Sequence, residues 1–241
     1  MLLYSADGDE IDRLIGFDNN RDAWFEILQA YTAGKHTLAD LLNRIQADTA
    51  DAELNRQVAD KYFNRGTTVS AHEYYLRAVR HASGDLLQYV RYKAAVCDLT
   101  IDQNPGPLRL FIDMTTDDNL RYSGQRAFIR YHANRNEFDE AVRIHEAILQ
   151  KFPSDAGKMN DFAWFVFQNK LEHHYKRAIE VATQAVSVAP EQDHIWDTLG
   201  QLCFANGQVR EAIDAMQRAA ELAPGEVSYR NLLTRYRQAA F

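Results

Sequence analysis

Residues 193–225 run DHIWDTLGQLCFANGQVREAIDAMQRAAELAPG. Trp196, Leu199, Gly200 and Cys203 fall at helical spacing, and so do Ala212, Met216 and Ala219. Gly207 separates the two sets and Pro224-Gly225 closes the stretch, which therefore reads as two helices joined by a short turn. Pro224 follows Pro190 by 34 residues, and Pro190 follows Pro153 by 37, one such period plus three. A fixed period of this length marks an array of small units, none of which can bury its apolar face alone. Anchored on the prolines, the units are 122–155, 159–192 and 193–226, with Ala156-Gly157-Lys158 inserted. This register makes Phe162 the counterpart of Trp196. Two earlier units fit upstream, 52–85 and a divergent 86–121.

The last unit resembles a tetratricopeptide repeat. Trp196, Leu199 and Gly200 match its W-x2-L-G start, Ala212 and Met216 its Ala-x3-Phe pair, and Pro224 its end, while Cys203 replaces the usual Tyr. Residues 159–192 are similar through Phe162, Phe165, Ala178, Ala182, Ala185 and Pro190, and 122–155 through Phe128, Ala141, Ile148 and Pro153. In 52–85, Ala59, Tyr62, Gly66, Ala71, Tyr75 and Ala78 hold the expected offsets. In 86–121, Pro105-Gly106-Pro107 falls where a second helix should begin, so that helix is expected to be short. Gly124 is read as a further break. The resemblance covers about 52–241 and implies an α-solenoid of about five helical hairpins. Val227 to about Ala240 then acts as a capping helix, with Tyr229, Leu232, Leu233 and Tyr236 on its apolar face.

Residues 1–50 differ. Leu2-Leu3-Tyr4 and Ile11–Ile15 flank Asp7-Gly8, a hairpin signal, and continue to Phe17. Ala23, Trp24, Ile27, Leu28 and Tyr31 then fall at helical spacing up to a stop at Gly34, and a second short helix starts near Thr37. Residues 1–35 resemble the last hairpin and closing helix of a thioredoxin-like domain. The CxxC pair and cis-proline of that family would lie upstream, so the resemblance implies a truncated, redox-inactive module or a fragment of a longer redox protein. A lone hairpin is marginal in water, so it is expected to pack on its own helix and on the first helices of the array, with one strand edge exposed. The chain is thus expected to comprise residues 1–50 and a repeat region, 51–241.

Composition excludes several chemistries. Lys and Arg number 27 against 34 Asp and Glu, a net charge of −7, which argues against a nucleic-acid or anionic-membrane binder. No apolar run approaches the roughly 18 residues of a membrane span. Met1–Ser5 has no basic n-region and is not a secretory signal, so a cytoplasmic location is expected. Cys97 and Cys203 are far apart at apolar helical positions and read as small buried residues. His72-Glu73 and His145-Glu146 begin like a zinc-protease HExxH, but Leu76 and Leu149 take the last place. His173-His174 reads as a solvated turn whose neighbouring side chains diverge and cannot easily share a metal. No phosphate-cradling glycine motif occurs. No catalytic residue, cofactor or metal is expected.

What remains is non-covalent protein binding in a groove lined by the first helix of each unit. Arg121, Arg126, Arg130 and Arg135 form a basic series, within which Arg126 and Arg130 share a face. The groove candidates are Arg126, Arg130, Asn160, Phe167, His194, Asp197 and Gln201. The partner is expected to be a protein or peptide, acidic where it meets the arginines, with self-association through the strand at residues 1–5 as a further interaction. Some tetratricopeptide proteins grip a terminal carboxylate with Lys and Asn. The matching places here hold Arg56, Asp60, Arg126 and Arg130, so that ligand does not carry over.

Overall fold

The computed structural model describes residues 1–8, 10–13 and 21–240. Asp9 of the expected turn and the expected strand continuation over Leu14–Phe17 lie outside the described residues. The chain divides into two compact units, Met1–Tyr131 and His132–Phe241.

The first unit opens with strands β1 (Leu2–Tyr4) and β2 (Glu10–Arg13), paired antiparallel with Leu3 opposite Asp12. Gly8 takes a φ of 89°, which a side chain would resist, and its N–H donates to the Ser5 carbonyl at 3.1 Å. Then follow α1 (Arg21–Thr32), α2 (Leu38–Ile45), α3 (Ala52–Asn64), α4 (Thr68–His81), α5 (Gly84–Ile101), α6 (Gly106–Met114) and α7 (Asp118–Asn134), whose residues up to Tyr131 belong here. Thr37 caps α2 by accepting the Asp40 N–H, and Asp51 caps α3 by accepting that of Leu54. Leu41 and Ile45 of α2 pack with Leu54 and Val58 of α3. Ala59, Ala71, Tyr75, Ala78, Val90 and Cys97 form the next cluster. Small residues at 59, 71 and 78 let α3 and α4 approach while Tyr75, fully buried, fills the space beside them.

Two expectations change in this unit. Gly124 is buried within α7 rather than between helices. A Cβ there would lie 2.8 Å from Cγ1 of Ile112, so the glycine permits close approach of α7 to α6 and does not end a helix. The hairpin is held by a buried charge that no local pattern revealed. The Asp12 carboxylate, fully buried, accepts from Lys61 Nζ at 2.7 Å and Arg65 Nη2 at 2.6 Å on α3. It also accepts the N–H groups of Leu38 at 3.0 Å and Arg13 at 2.7 Å. With β2 also touching α1, the hairpin packs on its own helix and on the first helix of the array, as expected.

The second unit contains α8 (Phe138–Lys151), α9 (Ala156–Gln168), a 3₁₀ turn (Glu172–His174), α10 (Tyr175–Val188), α11 (Asp193–Ala205), α12 (Val209–Leu222) and α13 (Val227–Ala239). Each helix packs on its sequence neighbour, and α9 also packs on α11. Phe162, Val166, Ala178, Ala182, Leu202, Ala212, Met216 and Ala219 sit in one continuous core. A Cβ on Gly200 would meet Met216 Cε at 3.2 Å and the Ala212 carbonyl oxygen at 3.3 Å, so the W-x2-L-G glycine lets α11 approach the backbone of α12. In α13, Tyr229 and Tyr236 are buried while Arg230, Arg235 and Arg237 are exposed, the expected face of a cap.

A recurring turn fixes the register. Gly66, Asn136, Lys170 and Gly207 all have φ between 54° and 79°. In each case the next residue donates its N–H to a carbonyl five positions back: Thr67 to Tyr62, Glu137 to His132, Leu171 to Val166 and Gln208 to Cys203. Lys170 is therefore the counterpart of Gly207, and α9 the counterpart of α11 with a shift of 37 residues. Thus Met159, not Phe162, corresponds to Trp196; Phe162 corresponds to Leu199, Ala163 to Gly200 and Val166 to Cys203. Helices α10 and α12 begin 34 residues apart. The three-residue insertion is accordingly Glu172–His174, not Ala156–Lys158, which open α9. His173 and His174 lie in that turn as expected, with His173 exposed, but their side chains do not diverge: the ring centroids come within 4.1 Å.

Candidate functional site

In the second unit, Asn160 of α9 and Asp197 of α11 occupy equivalent places, as do Trp164 and Gln201, and Phe167 and Phe204. All are half-buried, and Phe167 and Phe204 also pack against the core. Trp164 and Phe167 lie with ring centroids 5.4 Å apart. Gln201 Nε2 donates to both Asp197 oxygens at 2.9 Å. Burial raises the Asp197 carboxyl above its ordinary value; the Gln201 bond opposes this and the Asp193 charge adds to it. His194 is exposed one turn before. Asn160 Oδ1 is shielded from solvent and meets no hydrogen-bond partner. Helix α13 extends the same surface: Tyr236 stacks on Phe204 at 4.1 Å, Arg235 lies 5.4 Å over that ring, and Tyr229 donates to Asp193 at 2.8 Å.

In the first unit, Arg126 and Arg130 are exposed on α7. Arg126 lies 5.9 Å over the Tyr122 ring, and neither arginine is in an ion pair among the described residues. Burial raises the Tyr92 phenol on α5, and the Arg130 and Arg126 charges oppose that rise. The rest of the basic series is committed elsewhere. Arg121 bonds the Ile112 and Thr115 carbonyls at the end of α6, and Arg135 bonds Glu137 at 2.8 Å. Arg56 and Asp60 pair with each other, and Asp60 also accepts from Tyr75 and from Tyr89 at 3.0 Å, so neither is available to a ligand carboxylate. Because α6 has only nine residues where α4 has fourteen, it leaves a recess of about 690 Å³ against α4 and α5, lined by Leu76, Val79, Leu87, Leu110 and Phe111.

Residues 171–236 match the family model described as tetratricopeptide repeat. This stretch carries tetratricopeptide repeat sequence. Solved structures with the same repeats resemble the chain at low identity. The C-terminal part of a tetratricopeptide repeat-containing protein from Cytophaga hutchinsonii aligns with a TM-score of 0.64 at 14 % identity, over 89 % of this chain and 83 % of that one. A tetratricopeptide repeat protein from Parabacteroides merdae gives 0.51 at 14 %, over 89 % and 80 %. YrrB, described as a tetratricopeptide repeat protein with an unusual peptide-binding site, gives 0.51 at 10 %, over 82 % and 97 %. No curated protein matches the sequence.

Within these tetratricopeptide units, the seven groove candidates fall into two sets. Asn160, Phe167, His194, Asp197 and Gln201 lie on the adjacent helices α9 and α11, and Arg126 and Arg130 lie one turn apart on α7. Three contributors were missed. Trp164 is the counterpart of Gln201 only in the 37-residue register. Phe204 and Arg235 could have been found by extending that row into the next two first helices. Among the described residues no helix is long and apolar enough to cross a membrane.

Proposed function

We propose that the protein is a non-enzymatic interaction scaffold that binds an extended or helical peptide along the first helices of its tetratricopeptide units, with residues 1–50 as an N-terminal cap. The observation that carries this is the row of half-buried and exposed side chains on α9, α11 and α13: Asn160 with an unpaired oxygen, Trp164 with Phe167, the Asp197–Gln201 pair, and Arg235. Amide, carboxylate and aromatic groups at regular intervals along successive helices suit backbone hydrogen bonds and side-chain pockets of a peptide. The peptide-binding site of YrrB on a similar fold supports the reading. Arg126 and Arg130, in no ion pair among the described residues, give the first unit a surface for acidic side chains. The redox alternative is disfavoured by both thiols. Burial pushes Cys97 up to about 12 and Cys203 up to about 11, so neither supplies thiolate at neutral pH.

Peptides selected from a displayed random library on the full chain test this. Selected acidic peptides should bind the Arg126→Glu, Arg130→Glu double variant at least about tenfold more weakly in calorimetry, given the strength of charge-assisted bonds, with an unchanged circular dichroism spectrum. Equal affinity for both chains refutes the basic surface, and failure to select any peptide refutes the scaffold reading.

Exposed Leu2 and Tyr4 on β1, with exposed Met1 beside them, favour a second interaction, self-association through this strand. Light scattering of the full chain reads it as a doubled mass.

A further inference from the structure

Asp139 lies in the first turn of α8, and His173 and His174 lie in the 3₁₀ turn that leads into α10. Nε2 of each histidine stands 3.7 Å from Oδ1 of Asp139. One ligand atom from each of the three residues lies within 4.8 Å of the others. Nε2 of His174 is shielded from solvent and has no hydrogen-bond partner, an unsatisfied position for a polar ring atom. The rest of the turn follows the repeat pattern. Gln208 leads directly into α12, whereas Leu171, its counterpart, is followed by the three inserted residues that bring both imidazoles to the carboxylate.

We propose that Asp139, His173 and His174 bind one divalent transition-metal ion of the zinc class. Zinc bonds imidazole nitrogen and carboxylate oxygen at about 2.0–2.2 Å, so a tetrahedral site needs ligand atoms about 3.4 Å apart. Each histidine–aspartate edge is within a few tenths of an ångström of that. The histidine pair closes by rotation of His173, whose side chain is 67 % exposed and unconfined. Two imidazoles and one carboxylate select zinc, nickel, cobalt or copper over magnesium and calcium, which require oxygen ligands throughout. Three protein donors leave the remaining coordination to water. The bound ion ties the start of α8 to the turn before α10, so it stabilises the second unit.

Calorimetric titration of the full chain with zinc chloride tests the site, with magnesium chloride as control and the thermal midpoint followed in parallel. The expected result is one ion per chain, a raised midpoint with zinc and none with magnesium. His174→Ala and Asp139→Asn should each bind zinc at least about tenfold more weakly, since even loss of a group behind a ligand costs that much. The His81→Ala control, at an exposed histidine of the first unit, should leave binding unchanged. Absence of one-to-one zinc binding overturns the proposal, and so does binding of equal strength in His174→Ala and Asp139→Asn. All three residues are on the surface turn or the first turn of α8, so the variants keep the helices needed for folding.

Discussion

Replacing Asp12 with Asn should loosen the N-terminal hairpin from the repeats. The substitution keeps the shape and one acceptor but removes the charge that faces Lys61 and Arg65. A hydrogen bond to a charged group contributes about 1.5–3 kcal/mol, and breaking a buried pair by removing one partner costs about 3–5 kcal/mol. The Lys61 and Arg65 side chains keep 15 % and 13 % of their surface exposed, so water reaches the stranded cations and the low end applies. A loss of about 3 kcal/mol raises the local opening equilibrium roughly 150-fold. Hydrogen exchange read by mass spectrometry, peptide by peptide, should show this as lost protection over 37–66, with 193–222 unchanged. The same pair sets a pH dependence. Burial alone would raise the Asp12 carboxyl, but the Lys61 bond, the Arg13 N–H and the Arg65 bond outweigh it and hold it below its ordinary value. The folded group thus binds its proton less readily than the unfolded one. The stabilisation is present above the ordinary aspartate pKa and is lost as pH falls through the lowered folded value. Asp12→Asn should abolish that component. Protection over 37–66 that matches the parent chain within about threefold at neutral pH, a difference of less than ~0.7 kcal/mol, would refute the reasoning.

Further outcomes follow from other positions. Gly124→Ala should lower the thermal midpoint: a Cβ 2.8 Å from Ile112 Cγ1 forces a shift costing about 1–3 kcal/mol, more than the ~1 kcal/mol gained in helix propensity. Lys170→Gly should raise the unfolding free energy read from urea titration by about 0.5–1 kcal/mol, because Lys170 holds a φ of 54° where Gly66 and Gly207 carry no Cβ. The Arg126→Glu, Arg130→Glu double variant should lose affinity for acidic peptides without losing helicity, as calorimetry and circular dichroism will show. Zinc should bind one to one and fail to do so at the same strength in His174→Ala.

The pairing of helices was readable wherever small residues and glycine turns agree. In 52–85, Ala59, Gly66, Ala71 and Ala78 each do one job, and the sequence register holds in the structure. It slipped by three in α9 for a physical reason. Phe162, Trp164, Phe165 and Phe167 offer an aromatic to every trial alignment, and the turn that would have decided among them carries Lys170 in the left-handed conformation instead of glycine. Gly124 misled because a buried glycine and a helix-ending glycine look alike in sequence; only the neighbouring Ile112 tells them apart. The groove residues were legible as a helical face, yet Trp164 was hidden by the same slip. Asp12 with Lys61 and Arg65, and Asp139 with His173 and His174, join positions tens of residues apart, and no local period reports such pairs.

Within the second unit each helix packs on its neighbour in sequence, and the repeat turns close with their own hydrogen bonds. Cohesion is therefore assembled from short-range contacts, like the teeth of a zipper. Such a chain can nucleate at any pair and spread outward. It can also fray from α13 while α9 and α10 stay closed. A peptide lying across α9, α11 and α13 would be felt by the chain as a splint, holding shut an end that otherwise opens first.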